Sequence, residues 1–438
     1  MSGVDQYVAA FKAFAGNGAG GAPAWLKEIR HSAITRFAEL GFPTMKQEEW
    51  RFTSVAPLVD AQFQLPHGAG ATVSPDVIEG LAVGAGPRVV FVDGHFAPEL
   101  TSSLGVPAQV QLGSLAAALR GNSAAGELVR QHLARHARWQ ESPFTALNTA
   151  FLADGAIVRV PRGLKLDQPL EIVFLSTGVT DSDGPTVTHP RSLIVVERDA
   201  AVTVVETYAG LTQADYWTNA VSEVVVEAGA RVELYRVQRE GPRGVQVATT
   251  QSRQNRDSFL GLHVVTLGAA LARHDIGTVL DGAGAELILN GLYLLAGAQH
   301  ADHHTVIDHA QPHCVSHEFF NGVLAERAHG VFNGRIVVRP GAQRTDSKQT
   351  NNNLLLSTEA RADSQPQLEI YADDVKCTHG STVGPIDPMQ LYYLRSRGLS
   401  AAAARSILTY GFGAEILDRM RHPTVRERLD RLVRDRLA

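Results

Sequence analysis

A mainly β protein with helical segments at both ends is the fold class this sequence predicts, on three observations. Short β-type runs succeed one another through the middle of the chain, at residues 156–160, 170–175, 192–197, 202–207, 221–227, 231–237, 286–294 and 334–338. Gly-Ala turns recur ahead of such runs, at Gly229-Ala230, Gly284-Ala285 and, less regularly, Gly268-Ala269. The stretches on either side carry apolar residues at helical rather than alternating spacing.

The first zone, residues 1–143, reads as mostly helical. Val4, Val8, Phe11 and Phe14 recur at helical spacing, and Leu26, Ile29, Ala33, Phe37 and Leu40 do so again. Between them a glycine-rich connector spans 16–21. It lacks the Gly-Lys-Ser/Thr of a phosphate-binding loop, so it carries no nucleotide role. One apolar strand, 88–92, interrupts the helices and ends at the Asp93-Gly94 turn.

The second zone, 144–384, holds the β runs. A turn followed by an alternating strand is the unit of a β-solenoid, in which each rung buries its inner face against its neighbours. The period is irregular, and a β-sandwich satisfies the same runs. The third zone, 385–438, is helical again. Asp387-Pro388 is an N-cap followed by proline at the first helical position, Gly398 is a stop, and Ser400 caps the next helix. Beyond Pro423 a stripe of Val425, Leu429, Leu432 and Leu437 runs along a helix rich in Arg and Asp. Some fifty residues of amphipathic helix cannot enclose a core alone. They must pack on the β zone or on another protein.

Composition excludes several classes. The 438 residues are 44% hydrophobic and 19% charged, an ordinary globular balance, with a net charge of -5. No clustered positive charge offers a nucleic-acid surface. No stretch reaches the ~20 apolar residues that span a bilayer. Residues 1–14 lack the unbroken apolar stretch of a signal peptide, and two cysteines are too few for a disulfide framework. A cytoplasmic protein is expected.

Chemistry concentrates at the segment 371–380, where Cys377 and His379 stand two residues apart. In an extended segment they share one face and can converge on one soft or borderline metal ion. Two donors cannot close a tetrahedral site, so the remaining ligands must come from elsewhere. The plainer reading is a core thiol beside a hydrogen-bonded imidazole. Asp373 and Asp374, on a strand, face apart and make no acid–base pair; solvated charges at a strand end suit them better. Seven of the 17 histidines crowd into one stretch: His300, His303, His304, His309, His313, His317 and His329. None matches a zinc-enzyme spacing. On a strand, His303, Thr305, Ile307 and His309 share one face while His304, Val306 and Asp308 share the other. The plain alternative to ligation is that these rings line turns and bond to neighbouring rungs. Cys314 reads as a small buried apolar residue.

The segments 351–357 and 367–384, the latter ending in Lys376-Cys377-Thr378-His379-Gly380, closely resemble the SufD type of the SufB/SufD family, components of the Suf iron–sulfur cluster assembly system. Lys46-Gln47-Glu48-Glu49-Trp50-Arg51-Phe52-Thr53, residues 144–151 and Tyr393-Leu394-Arg395-Ser396-Arg397-Gly398 agree as well, in the family's order. The SufB type has a Glu-containing segment in place of Lys-Cys-x-His-Gly.

The resemblance implies a right-handed parallel β-helix (a β-solenoid) flanked by N- and C-terminal helical domains, to which the three zones divided near 143 and 384 correspond. It implies a non-enzymatic scaffold subunit without a tightly bound cofactor. SufB would pair through the C-terminal end of the β-helix, and the ATPase SufC would dock on the C-terminal helices. Where SufB is missing, self-pairing through the same end is the expected outcome. It also implies that His379, with Cys377, serves as a transient iron or cluster ligand at the SufB junction.

Overall fold

The computed structural model describes residues 3–17, 22–66, 72–120, 124–178 and 184–437; most of the glycine-rich connector lies outside them. Its centre is a β-solenoid of about seven turns, with helices at both ends. From Arg191 onward, successive strands alternate between two facing sheets. Strands one turn apart pair in parallel and in unbroken register, as Leu271–Leu280, His300–His309 and His329–Val338 do. A turn therefore takes about 30 residues, within the range of stacked repeats. The sandwich alternative falls because every one of these neighbours is parallel.

The solenoid forms because each strand turns alternate side chains inward, and inward neighbours stack from rung to rung. Val202, Val232, Leu260 and Leu287 make one such column, and Val204, Leu234, Leu262 and Leu289 another. All are buried. At one corner of six successive turns the backbone enters the left-handed region, at Asp199, Gly229, Asp257, Gly284, His313 and Arg344. Glycine is required at 229 and 284, where a Cβ would lie 2.3 and 2.5 Å from the carboxylates of Asp199 and Asp257. The next residue is small and buried: Ala200, Ala230, Ser258, Ala285, Cys314 and Thr345. Cys314 thus occupies a packing position in the corner column, as a small apolar residue would.

The N-terminal region contributes strands to both sheets. Arg88–Val92 pairs in parallel with Leu170–Ser176, and Gln111–Ser114 pairs antiparallel with Ala156–Val160. Helices Gly3–Asn17, Ala24–Leu40 and Pro143–Ala150 cover the second sheet with an aromatic layer that includes Tyr7, Phe37, Trp50, Phe144 and the fully buried Trp217. At the other end of the chain, helices Ala401–Leu417 and Pro423–Leu437 lay Ile416, Val425, Leu429 and Val433 on the outer face of the first sheet. That answers half of the question of what covers them. The preceding helix, Pro388–Ser396, is capped by Asp387, whose side chain accepts from the Met389 amide at 2.8 Å, and buries no residue. No helix among the described residues is long and apolar enough to cross a membrane.

Candidate functional site at the open end of the solenoid

Cys377 and His379 lie on Lys376–Pro385, the last strand of the first sheet, which pairs on one side only, with Asp346–Leu355. The last strand of the second sheet is Arg361–Ile370. These two strands form the final rung, and among the described residues nothing is stacked beyond it. The register sets Cys377 over Ser347 and His379 over Gln349, both of which are buried. Cys377 is half-buried against the lumen core, and His379 is exposed. The expectation that the two share one face therefore holds in three dimensions.

Sequence reasoning did not find what lies beneath them. The inward column through Cys377 is apolar from Val202 to Leu287, then becomes Ser316 and Ser347. The column through His379 is apolar from Val204 to Leu289, then becomes Glu318 and Gln349. The change is not a response to water, because all four residues are at most 2% exposed. The buried side chains bond in file. His309 Nε2 lies 2.8 Å from Ser316 Oγ, which lies 2.7 Å from Ser347 Oγ. Gln349 Nε2 donates to Glu318 Oε2 at 2.7 Å.

Burial pushes the Glu318 carboxyl up to about 7, with Thr305 and Gln349 opposing the shift. It holds His309 down at about 4. The Cys377 thiol is raised by burial and by the Asp346 carboxylate, against an opposing hydrogen bond from the Ser347 backbone. A thiol shifted in that direction stays protonated until a metal displaces the proton. Buried carboxyls cost free energy unless a role retains them, so the switch from leucine to Glu318 marks this end chemically.

The other candidate residues are distributed differently. On His300–His309 the side chains alternate as expected, with His303, Thr305, Ile307 and His309 inward and buried and His304, Val306 and Asp308 outward. Three of the rings, His303, His309 and His329, do bond to neighbouring rungs, but six of the seven sit on strands rather than turns; only His313 is at a corner. His303 Nε2 lies 3.1 Å from Thr266 Oγ1, and His329 Nε2 lies 2.7 Å from Asp363 Oδ2. Asp373 and Asp374 fall in the turn before the last strand instead of on a strand. Among the described residues no group of three or more His, Cys, Asp or Glu side chains is arranged to hold a metal ion.

The remaining motifs tie the N-terminal region down. Trp50 stacks under the Arg273 guanidinium at 3.8 Å, and Thr53 donates to Asp302 at 2.5 Å. Arg273 in turn binds Asp302 at 2.7 Å, which holds that carboxyl far below its ordinary range even though burial opposes the shift. Asn148 donates to the carbonyls of Pro190 and Asn219 and accepts from Arg191, which pairs with Glu223 at 2.5 Å in full burial.

Fold and site together define a β-solenoid protein that presents a thiol and an imidazole on an unstacked last rung. Two family models match: the SUF system FeS cluster assembly SufBD core domain over residues 178–412, and the SufBD protein N-terminal region over residues 1–172. The chain is 34% identical to an iron–sulfur cluster assembly SufBD family protein of Synechocystis over 92% of its own length and 89% of the relative. It is 30% identical to the iron–sulfur cluster assembly protein SufD of Escherichia coli, over 90% and 89%, and 27% identical to SufD of Bacillus subtilis, over 93% of each. The chain belongs to the SufBD family of iron–sulfur cluster assembly proteins, and its place is in the Suf system.

Proposed function

We propose that this chain is a non-enzymatic scaffold subunit of a cytoplasmic Suf complex, working with SufB and the ATPase SufC in iron acquisition and cluster assembly. The observation that carries the proposal is the last rung, where Cys377 and His379 share one face and, among the described residues, no further strand stacks upon them. A SufB chain with a matching end would cover this rung and supply the donors that two side chains lack. Iron and the nascent cluster are cargo here, held by thiolate and imidazole and then released. An incomplete set split between two chains favours release.

SufC would dock on the C-terminal helices, where Pro388–Ser396 buries nothing and Met389, Tyr392 and Tyr393 are exposed. Nucleotide-driven closure of SufC subunits would then shear the junction and open the site. Without SufB, the same end pairs with a second copy of this chain. The test is cluster reconstitution on the complex containing His379→Ala, followed by visible absorption and iron content. Loss of both is expected while the complex stays assembled. Wild-type rates would reduce this subunit to an adaptor for SufC.

A further inference from the structure

Gln349 sits one rung beneath His379 as its direct register partner, and its amide is held from two directions. Its Nε2 donates to Glu318, so its Oε1 must face elsewhere, and that oxygen is buried without a hydrogen-bond partner. An orphaned buried acceptor is destabilising, so retaining one calls for a reason. From the facing sheet, Gly334 makes the room. A Cβ there would lie 2.2 Å from Nε2 and 2.8 Å from Cδ of Gln349. The amide is therefore seated across the lumen with its carbonyl oxygen as the free end of a buried file. Above it stands an imidazole, which carries one N–H and one lone pair when neutral.

We propose that Gln349, braced by Glu318, is the positioning residue for His379: its Oε1 accepts one ring N–H and turns the other ring nitrogen outward, toward iron. The inference rests on the reading of His379 as an iron donor. It adds a device that fixes tautomer and ring orientation, the service that carbonyl partners give metal-bound histidines. The four rungs farther beneath need no such device, and there the column is valine and leucine.

The test uses the full chain with 15N-labelled histidine, the His379 signal being assigned by its loss in His379→Gln and read on the alkaline plateau where the ring is neutral. Wild type should show one ring nitrogen protonated. Three variants should shift the signals to those of an averaging ring. They are Gln349→Leu; Gly334→Ala, which unseats the amide without altering Gln349; and the double variant Glu318→Leu with Gln349→Leu. The double variant continues the leucine column of the rungs beneath, so a well-folded chain is expected even if the single change unfolds. Iron(II) affinity of the complex should fall about 10- to 100-fold in the same variants. An averaging ring in wild type, or a ring unchanged in both Gly334→Ala and the double variant, overturns the inference. A locked tautomer that these variants release upholds it, even if His379→Ala leaves cluster formation intact; that second result would sink the iron-donor reading alone.

Discussion

The two ends of the solenoid are finished in opposite ways. Near the start, flanking strands pair onto both sheets, aromatic rings pack around Trp217, and the Arg191–Glu223 pair is sealed beneath the backbone amides of Ala134, His136 and Ala137. At the far end the last two strands bury no side chain fully, and Ile370 and Val383 are 40% and 48% exposed. An uncovered rung with apolar side chains invites another chain to stack or pair on it. The contrast teaches where this molecule keeps stability and where it keeps chemistry. Its costly burials are in the covered part, and its candidate donors are on the rung left open.

Acid should break the covered part first, with the largest effect. His189 is held at about 3, His300, His303 and His309 at about 4, and His274 well below 6.5, all chiefly by burial. In this window the folded state binds fewer protons than the unfolded chain. Stability is therefore full above about pH 6.5 and is lost as pH falls toward 4, by up to about 1.4 kcal/mol per pH unit for each ring. Denaturant midpoints across this range check it, and a flat profile would contradict the burial assigned to these rings.

Trp217→Ala comes next, at about 3–5 kcal/mol in denaturant unfolding. Glu223→Ala belongs in the same range, because it leaves Arg191 charged and buried without its partner. Glu318→Gln should act in the opposite pH sense to the histidines. Because the folded carboxyl titrates near 7, above its ordinary 4.5, the stability it contributes is full below about 4.5 and is lost as pH rises through 7. The variant should flatten that alkaline loss by about 1–3 kcal/mol, which unfolding at pH 5 and pH 8 would reveal. The smallest effect is expected at the open end, where Val383→Ala should change stability by less than about 0.5 kcal/mol. Hydrogen exchange of Lys376–Pro385 should nevertheless be fast in the isolated chain and slow in the assembled complex. Slow exchange in isolation would erase the contrast between the ends.

Much of this was legible in the chain. The apolar runs around 202–207 and 231–237 are strands, the Gly229-Ala230 and Gly284-Ala285 turns are corners, and Asp387 and Ser400 cap their helices. Cys377 and His379 do share a face at an end of the sheet. Other strands escape a hydrophobicity reading because their inward positions are polar. Asp346–Leu355 turns Ser347, Gln349, Asn351 and Asn353 inward, where Asn353 Nδ2 donates to Asn351 Oδ1 at 2.8 Å and Tyr293 donates to Asn353 at 2.5 Å. The only signal for Glu318 and Gln349 was their spacing of about one turn from each other and from His379, which is invisible until the turn length is known.

Local alternation, turn residues and caps were settled by the sequence itself, because each depends on neighbours a few residues apart. The stacking register was not, since it is fixed by hydrogen bonds between residues about 30 positions apart and by corners of unequal sequence. Only that register places Ser347 under Cys377 and Gln349 under His379. It also leaves one rung uncovered, because an end exists only once the whole stack has been assembled.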